Sequence, residues 1–440
     1  MSASTLLLPR WLVPVEPSGV VLEQHAVLVE EGRIAAVLPR EAALARHANA
    51  ERVELPEHLL VPGLVNAHTH AAMSLLRGYA DDLPLMRWLT EHIWPAEAKH
   101  VTPAFVRDGT LLACAEMLRG GVTCFNDMYF FPEAALEAAR AAGMRASIGM
   151  IVIDFPSAYA TDAEDYLEKG LALRDRAGDA PLASFCLAPH APYTVSDATL
   201  RRVASLAGEL DLPVHIHVQE TADEVRRSIE EHGVRPLERM QRHGLLGPNL
   251  IAVHAVHVNA ADIELLARHG CSVVHCPGSN LKLASGFAPV AALLGAGVNV
   301  ALGTDGAASN NRLDVLAEMR LAALLAKGVS GDAGALPAHA ALRAATLGGA
   351  AALGLDRLIG SIVEGKRADL VALRIAGPEL SPCYDPVSHL VYAAGRENVS
   401  HVWVDGALRV EAGTLLGGGL AGLDKQTSLW HTVISQDVES

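Results

Sequence analysis

Histidines and acids at short spacings carry the most chemistry in this 440-residue chain. His68-Thr69-His70 follows the segment VPGLVNA, and His215-Ile216-His217 is followed three residues later by Glu220. His190, His254 and His275 each close a short apolar run, and Thr304-Asp305-Gly306 closes another. In a β-strand, residues i and i+2 face the same side. His68 and His70 therefore converge on one point while Thr69 points away, and His217 is placed to join them. Neutral imidazole with carboxylate is a donor set for zinc, with Fe2+, Co2+ or Mn2+ as substitutes. We assign His68, His70, His217 and Asp305 as ligands, which leaves a coordination position for water. One HxH pair carries little information. The joint placement of HTH, HxHxxE and TDG, each after an apolar run, is what favours a metal centre. His215 is read as supporting the ligands. His275 is balanced between a structural and a functional role.

Such convergence needs a scaffold that presents many strand ends together. Between residues 63 and 364, eight apolar runs (64–67, 122–126, 146–153, 183–188, 214–218, 251–254, 272–275 and 299–303) read as strands. Helical stretches such as 135–142, 197–210, 224–243, 260–269 and 314–327 lie between them. Eight alternating units over about 300 residues are the mark of a (β/α)8 barrel, whose functional groups gather at the C-terminal strand ends. The two chain ends differ from this middle. Alternating runs meet at Glu31-Gly32 and at Asp405-Gly406, a turn pair suited to a hairpin. The expected architecture is a composite β-sandwich domain from residues 1–62 and 365–440, attached to a catalytic α/β barrel of residues 63–364.

Composition narrows the partners. Acidic residues number 50 and basic ones 35, a formal charge of −15, with no Lys/Arg run. This balance argues against nucleic acid and against an anionic membrane surface. Half the residues are hydrophobic, enough for a large core. The six cysteines include no CxxC pair and read as reduced thiols, so a cytoplasmic location is expected. The N-terminal apolar run is short and lacks a basic leader, so no signal peptide is expected. The stretch 288–303 is interrupted by Pro289, Gly295, Gly297 and Asn299 and does not read as a membrane span.

The segments VPGLVNAHTHAAMSLLRGYADDLPLMRWL, CLAPHAPYTVS, HIHVQET, HCPGSNLKLASGFAPV and LGTDGAASNN resemble the amidohydrolase superfamily, and most of all its 5′-methylthioadenosine/S-adenosylhomocysteine deaminases. The resemblance spans nearly the whole chain. It implies one zinc ion per chain whose water is acidified towards about pH 7. Asp305 would take that water's proton and His254 would hold the water. Glu220 would protonate the ring nitrogen beside the attacked carbon and pass a proton to the leaving amine. Glu97, in WPAEAKH, corresponds to the glutamate that accepts hydrogen bonds from the ribose hydroxyls, and His190 to the histidine facing the purine or ribose. Binuclear relatives bridge their metals with a lysine on a middle strand. None of the six lysines here falls at the end of the third or fourth strand, so a single ion is expected. The resemblance also implies a homo-oligomer.

The implied substrate is a small nucleoside. Segment 151–166, IVIDFPSAYATDAEDY, lacks Arg and Lys, whereas some relatives that accept S-adenosylhomocysteine carry arginine there. Burying an unpaired carboxylate against apolar residues is costly. The expected order is 5′-methylthioadenosine first, adenosine accepted, S-adenosylhomocysteine weaker and AMP very poor. Alternatives are hydrolysis of another heteroaromatic ring, as in triazine chlorohydrolases or guanine deaminases, or a catalytically silent barrel used for binding.

Overall fold

The computed structural model describes residues 4–178, 180–420 and 422–438. Eight parallel strands form one sheet in chain order: β1 (Leu64–Thr69), β2 (Val122–Tyr129), β3 (Arg145–Val152), β4 (Ala183–Pro189), β5 (Val214–Val218), β6 (Leu250–His254), β7 (Ser272–His275) and β8 (Asn299–Leu302). Every residue of β1, β2, β3, β5, β6 and β7 is buried, as expected where helices cover a parallel sheet. The sheet curls so that its first and last strands meet. The Asp305 N–H donates to the His68 carbonyl at 3.1 Å. The Asn66 side chain accepts from the Thr304 N–H at 3.0 Å and donates to the Thr304 hydroxyl at 2.8 Å. Gly303 permits this approach, since a Cβ there would stand 2.9 Å from the His68 Cβ.

The surrounding helices begin where the sequence supplies a cap. Asp162, Ser196, Thr221, Asn259 and Asp314 each accept a first-turn N–H. The continuous helix expected over 224–243 is instead two, Ala222–His232 and Pro236–Arg242. Gly233 ends the first at φ 73° and Pro236 opens the second, a stop and start that outweigh the helical composition. The connection from β1 to β2 is the longest in the barrel. It holds Ala71–Leu76, Leu85–Arg87, a π-helical turn Trp88–Ile93, Trp94–His100 and the helix Pro103–Arg119.

The chain ends build a second, mixed sheet of nine strands. Its centre is the antiparallel pairing of Glu51–Pro62 with Leu370–Arg374, which joins the two ends. Period-two alternation divides its faces. Leu60, Leu370 and Ala372 pack with Leu7, Val27, Ile34 and Trp403, whereas Leu59, Val61, Val371 and Leu373 join the core shared with the barrel. Both expected hairpin turns form with positive φ: Glu31 50° and Gly32 73°, Asp405 53° and Gly406 77°. The C-terminal helix Leu423–Val438 lays Trp430 against Phe105 (ring centroids 5.3 Å) and donates its indole N–H to Asp108 at 3.0 Å. The six cysteines are free, and five are buried. Among the described residues, no helix is long and apolar enough to cross a membrane.

Candidate active site

The C-terminal strand ends bring the expected donors together. Nε2 of His68 and Nε2 of His70 each lie 3.2 Å from Oδ1 of Asp305, and Nε2 of His217 lies 3.2 Å from Nε2 of His68. His254 belongs to the same ring of donors, with all ligating atoms of His68, His217 and His254 within 4.8 Å of one another. The opposite ring nitrogens are held elsewhere. His70 Nδ1 donates to the Met128 carbonyl and His217 Nδ1 to the His190 carbonyl, both at 2.6 Å. A neutral imidazole that donates from Nδ1 carries a bare lone pair at Nε2. The Nε2 atoms of several imidazoles then face one another and a carboxylate oxygen, an arrangement that suits a cation. His68 Nδ1 lies 2.9 Å from Nε2 of His215, so the two rings are in hydrogen-bond contact.

The electrostatics agree with that demand for positive charge. Burial opposes ionisation of Asp305, but His68 and His70 hold its carboxyl well below the usual range. Burial pulls His68 down to about 4, despite Asp305. At His70 burial acts the same way, but the Asp305 bond and charge outweigh it and raise the group to about 9. The second Asp305 oxygen, Oδ2, accepts from Ser279 at 2.6 Å and Ser309 at 2.8 Å. Backbone strain collects at the same points: φ is 70° at His254 and 60° at Asp305. Left-handed backbone outside glycine costs about 1–3 kcal/mol and concentrates at functional sites.

Two acids, the buried Glu220 and the half-buried Glu97, face the same cavity as the donors. Glu220 Oε2 lies 3.8 Å from His254 Nε2, and its Oε1 accepts from Ser285 at 3.1 Å. Burial raises the Glu220 carboxyl above its ordinary range. Its backbone is pinned by Glu224, whose carboxylate accepts from the Gln219 and Glu220 N–H groups. His254 Nδ1 lies 2.8 Å from the Asn280 side-chain oxygen, which leaves its Nε2 facing the donors. Glu97, on Trp94–His100, accepts from the Tyr129 hydroxyl at 2.7 Å, and burial pushes it up to about 7 against the pull of Tyr129 and His70. His190 also faces this cavity, and burial keeps it neutral at about 3.

The cavity spans about 780 Å³, with the open solvent at its mouth included. Its walls include Trp88, Trp94, Phe130, Ile151, Ile153 and Phe155 and, among the described residues, no Arg or Lys. From the expected apolar segment, Ile151, Ile153 and Phe155 line it, whereas Tyr159 packs against Phe131 and Tyr166. His275 lies outside it, in a smaller pocket with Asn280 and Phe287. Sequence reasoning missed Ser279, Asn280, Ser285, Ser309 and Tyr129. The first three lie in the quoted HCPGSNLKLASGFAPV segment and Ser309 in LGTDGAASNN, but nothing in their residue types singles them out. Tyr129 was hidden because β2 runs three residues beyond the expected end at Asn126.

The amidohydrolase family model matches residues 59–409. The chain belongs to the amidohydrolase family. This amidohydrolase is 50% identical over 92% of its length, and 91% of the relative's, to a 5-methylthioadenosine/S-adenosylhomocysteine deaminase of Saccharophagus degradans. It is 51% identical, with a TM-score of 0.97 and 99% of both chains covered, to an adenosine deaminase of Xanthomonas campestris solved with bound zinc. The atrazine chlorohydrolase TrzN of Arthrobacter aurescens superposes with a TM-score of 0.90 over 98% of this chain and 100% of its own, at 23% identity. That last likeness is one of fold. The family and the site together make this chain a hydrolytic enzyme.

Proposed function

We propose that this enzyme hydrolytically deaminates adenine nucleosides, 5′-methylthioadenosine foremost, with one zinc ion held by His68, His70, His217 and Asp305. The observation that carries the reading is the pairing, in one cavity, of the four-donor centre with a buried Glu220 whose carboxyl burial raises above its ordinary range. When bound, the ion supplies Lewis acidity, and with it a nucleophilic water near neutral pH. The chain's own residues do the rest. His254 Nε2 accepts a hydrogen bond from the attacking water, and Asp305 Oδ1 takes its proton. Glu220 gives its proton to the ring nitrogen beside the attacked carbon; the proton taken by Asp305 then passes through Glu220 to the amino group, which leaves as ammonia, and the hydroxyl left on C6 reprotonates Glu220 as the carbonyl forms. Water adds one oxygen to C6 and the amine departs, so the products are the inosine analogue and ammonia.

Recognition follows from the walls. Glu97 accepts from the ribose hydroxyls, and neutral His190 faces the purine or ribose. The aromatic and aliphatic lining suits a methylthio group and offers no cation to an amino-acid carboxylate or a phosphate. The expected order of kcat/KM is 5′-methylthioadenosine, then adenosine, then S-adenosylhomocysteine, with AMP last, followed at the adenine-to-hypoxanthine absorbance change. S-adenosylhomocysteine matching or exceeding 5′-methylthioadenosine would overturn the reading of the 5′ pocket. Turnover of none of the four would overturn deamination itself.

A further inference from the structure

Four consecutive residues of β2 each grip a different part of the site. The Asn126 amide donates to the Ala67 carbonyl at 3.1 Å, and Asp127 Oδ1 accepts from the Ala71 N–H at 2.7 Å. The Met128 carbonyl holds His70 Nδ1, and the Tyr129 hydroxyl donates to Glu97 Oε1. The strand that orients a metal-centre histidine therefore also reaches Glu97.

Glu97 needs such a hold. It stands on the short helix Trp94–His100, which follows the π-helical turn Trp88–Ile93 within the long β1–β2 connection. A glutamate has three rotatable side-chain bonds, and burial works against its charge. Tyr129 sits on a fully buried strand, with its ring against Phe130 (5.5 Å between centroids) and 6.4 Å from that of His70. The lone-pair arithmetic also fits. A carboxylate has about four acceptor positions, one phenol proton takes one, and two ribose hydroxyls take two more. Phenol-to-carboxylate bonds are charge-assisted, stronger than neutral ones, and set direction as well as energy.

We propose that Tyr129 is a positioning residue for sugar recognition: its phenol fixes the Glu97 carboxylate in the orientation that accepts the 2′ and 3′ hydroxyls. The proposal rests on the reading of Glu97 as the ribose acceptor given above. The test compares wild type, Tyr129→Phe and Glu97→Gln, each metal-replete, on adenosine, 2′-deoxyadenosine, 3′-deoxyadenosine and 2′,3′-dideoxyadenosine. Tyr129→Phe keeps the ring contacts and removes only the hydroxyl. Its preference for adenosine over the deoxy analogues should fall by roughly tenfold to a hundredfold, the worth of a hydrogen bond to a charged group. The loss should appear as a raised KM for adenosine, with kcat/KM for the dideoxy analogue and the metal content unchanged. If Glu97→Gln loses discrimination and Tyr129→Phe keeps it, the proposal falls while the Glu97 reading stands. If Glu97→Gln itself discriminates as wild type does, the Glu97 reading falls and takes the proposal with it. An equal loss on all four compounds in Tyr129→Phe would mean general damage to the pocket and would also overturn the proposal.

Discussion

Bare imidazole nitrogens facing a carboxylate are stable in a buried pocket only with positive charge among them, because burial withdraws the water that would otherwise solvate them. His217→Ala or His68→Ala removes a lone pair and leaves the remaining donors without full coordination. Either variant should purify with little zinc and lose activity, as read by elemental analysis and ammonia release. A full complement of one ion per chain in His217→Ala would remove that residue from the ligand set. The donors were legible in the sequence because histidine pairs at i, i+2 spacing and a Thr-Asp-Gly, each at the end of an apolar run, are chemically unusual. Ser279 and Ser309, which hold Asp305, were not legible. Serine is common, and each acts through a single bond to a residue 26 or 4 positions away. His275 stayed ambiguous in sequence because its place at a strand end says nothing about which cavity its ring enters. Its ring lines the small pocket beside Asn280, where burial lowers it to about 3.

At the level of elements, the strands were more legible than what joins them. Each barrel strand is a dense apolar run, so all eight could be placed from composition, with errors only at their ends. Those ends matter: β2 continues through Asp127, Met128 and Tyr129, where polar and aromatic residues mask a strand that the apolar pattern stops at Asn126. The β1–β2 connection was opaque because its short helical pieces include a π turn, for which no simple period exists. The seam between β1 and β8 depends on an absent side chain. A Cβ at Gly303 would fall 2.9 Å from the His68 Cβ, 2.9 Å from Val274 Cγ1 and 3.0 Å from the His68 nitrogen. Gly303→Ala should therefore cost about 1–3 kcal/mol of stability, the range for overpacking, and should weaken metal binding by displacing His68. Unchanged melting temperature and zinc content in that variant would show that the seam yields without cost.

Over the whole molecule, the two chain ends were recognisable as one β-rich unit because both carry alternating strands around Glu/Asp-Gly turns. How that unit is fixed to the barrel was not legible. Arg145, on β3, makes a two-pronged ion pair with Asp369 at 2.9 Å on each arm and reaches Asp405 at 3.3 Å, with both Arg145 and Asp369 almost fully buried. The partners are separated by 224 and 260 positions, and sequence pattern carries no trace of such a pairing. The assembled molecule gathers the donor ring, Glu220 and Glu97 around one cavity, and the proposed chemistry there, deamination of an adenine nucleoside, runs through Glu220. The most direct measurement is ammonia release from 5′-methylthioadenosine by wild type and by Glu220→Gln, with zinc content determined for both. Zinc should be equal in the two, ammonia should form in step with the absorbance change in wild type, and the rate should be lower by roughly 10²-fold or more in Glu220→Gln, the scale of general acid–base catalysis. Turnover by Glu220→Gln near the wild-type rate would contradict that chemistry.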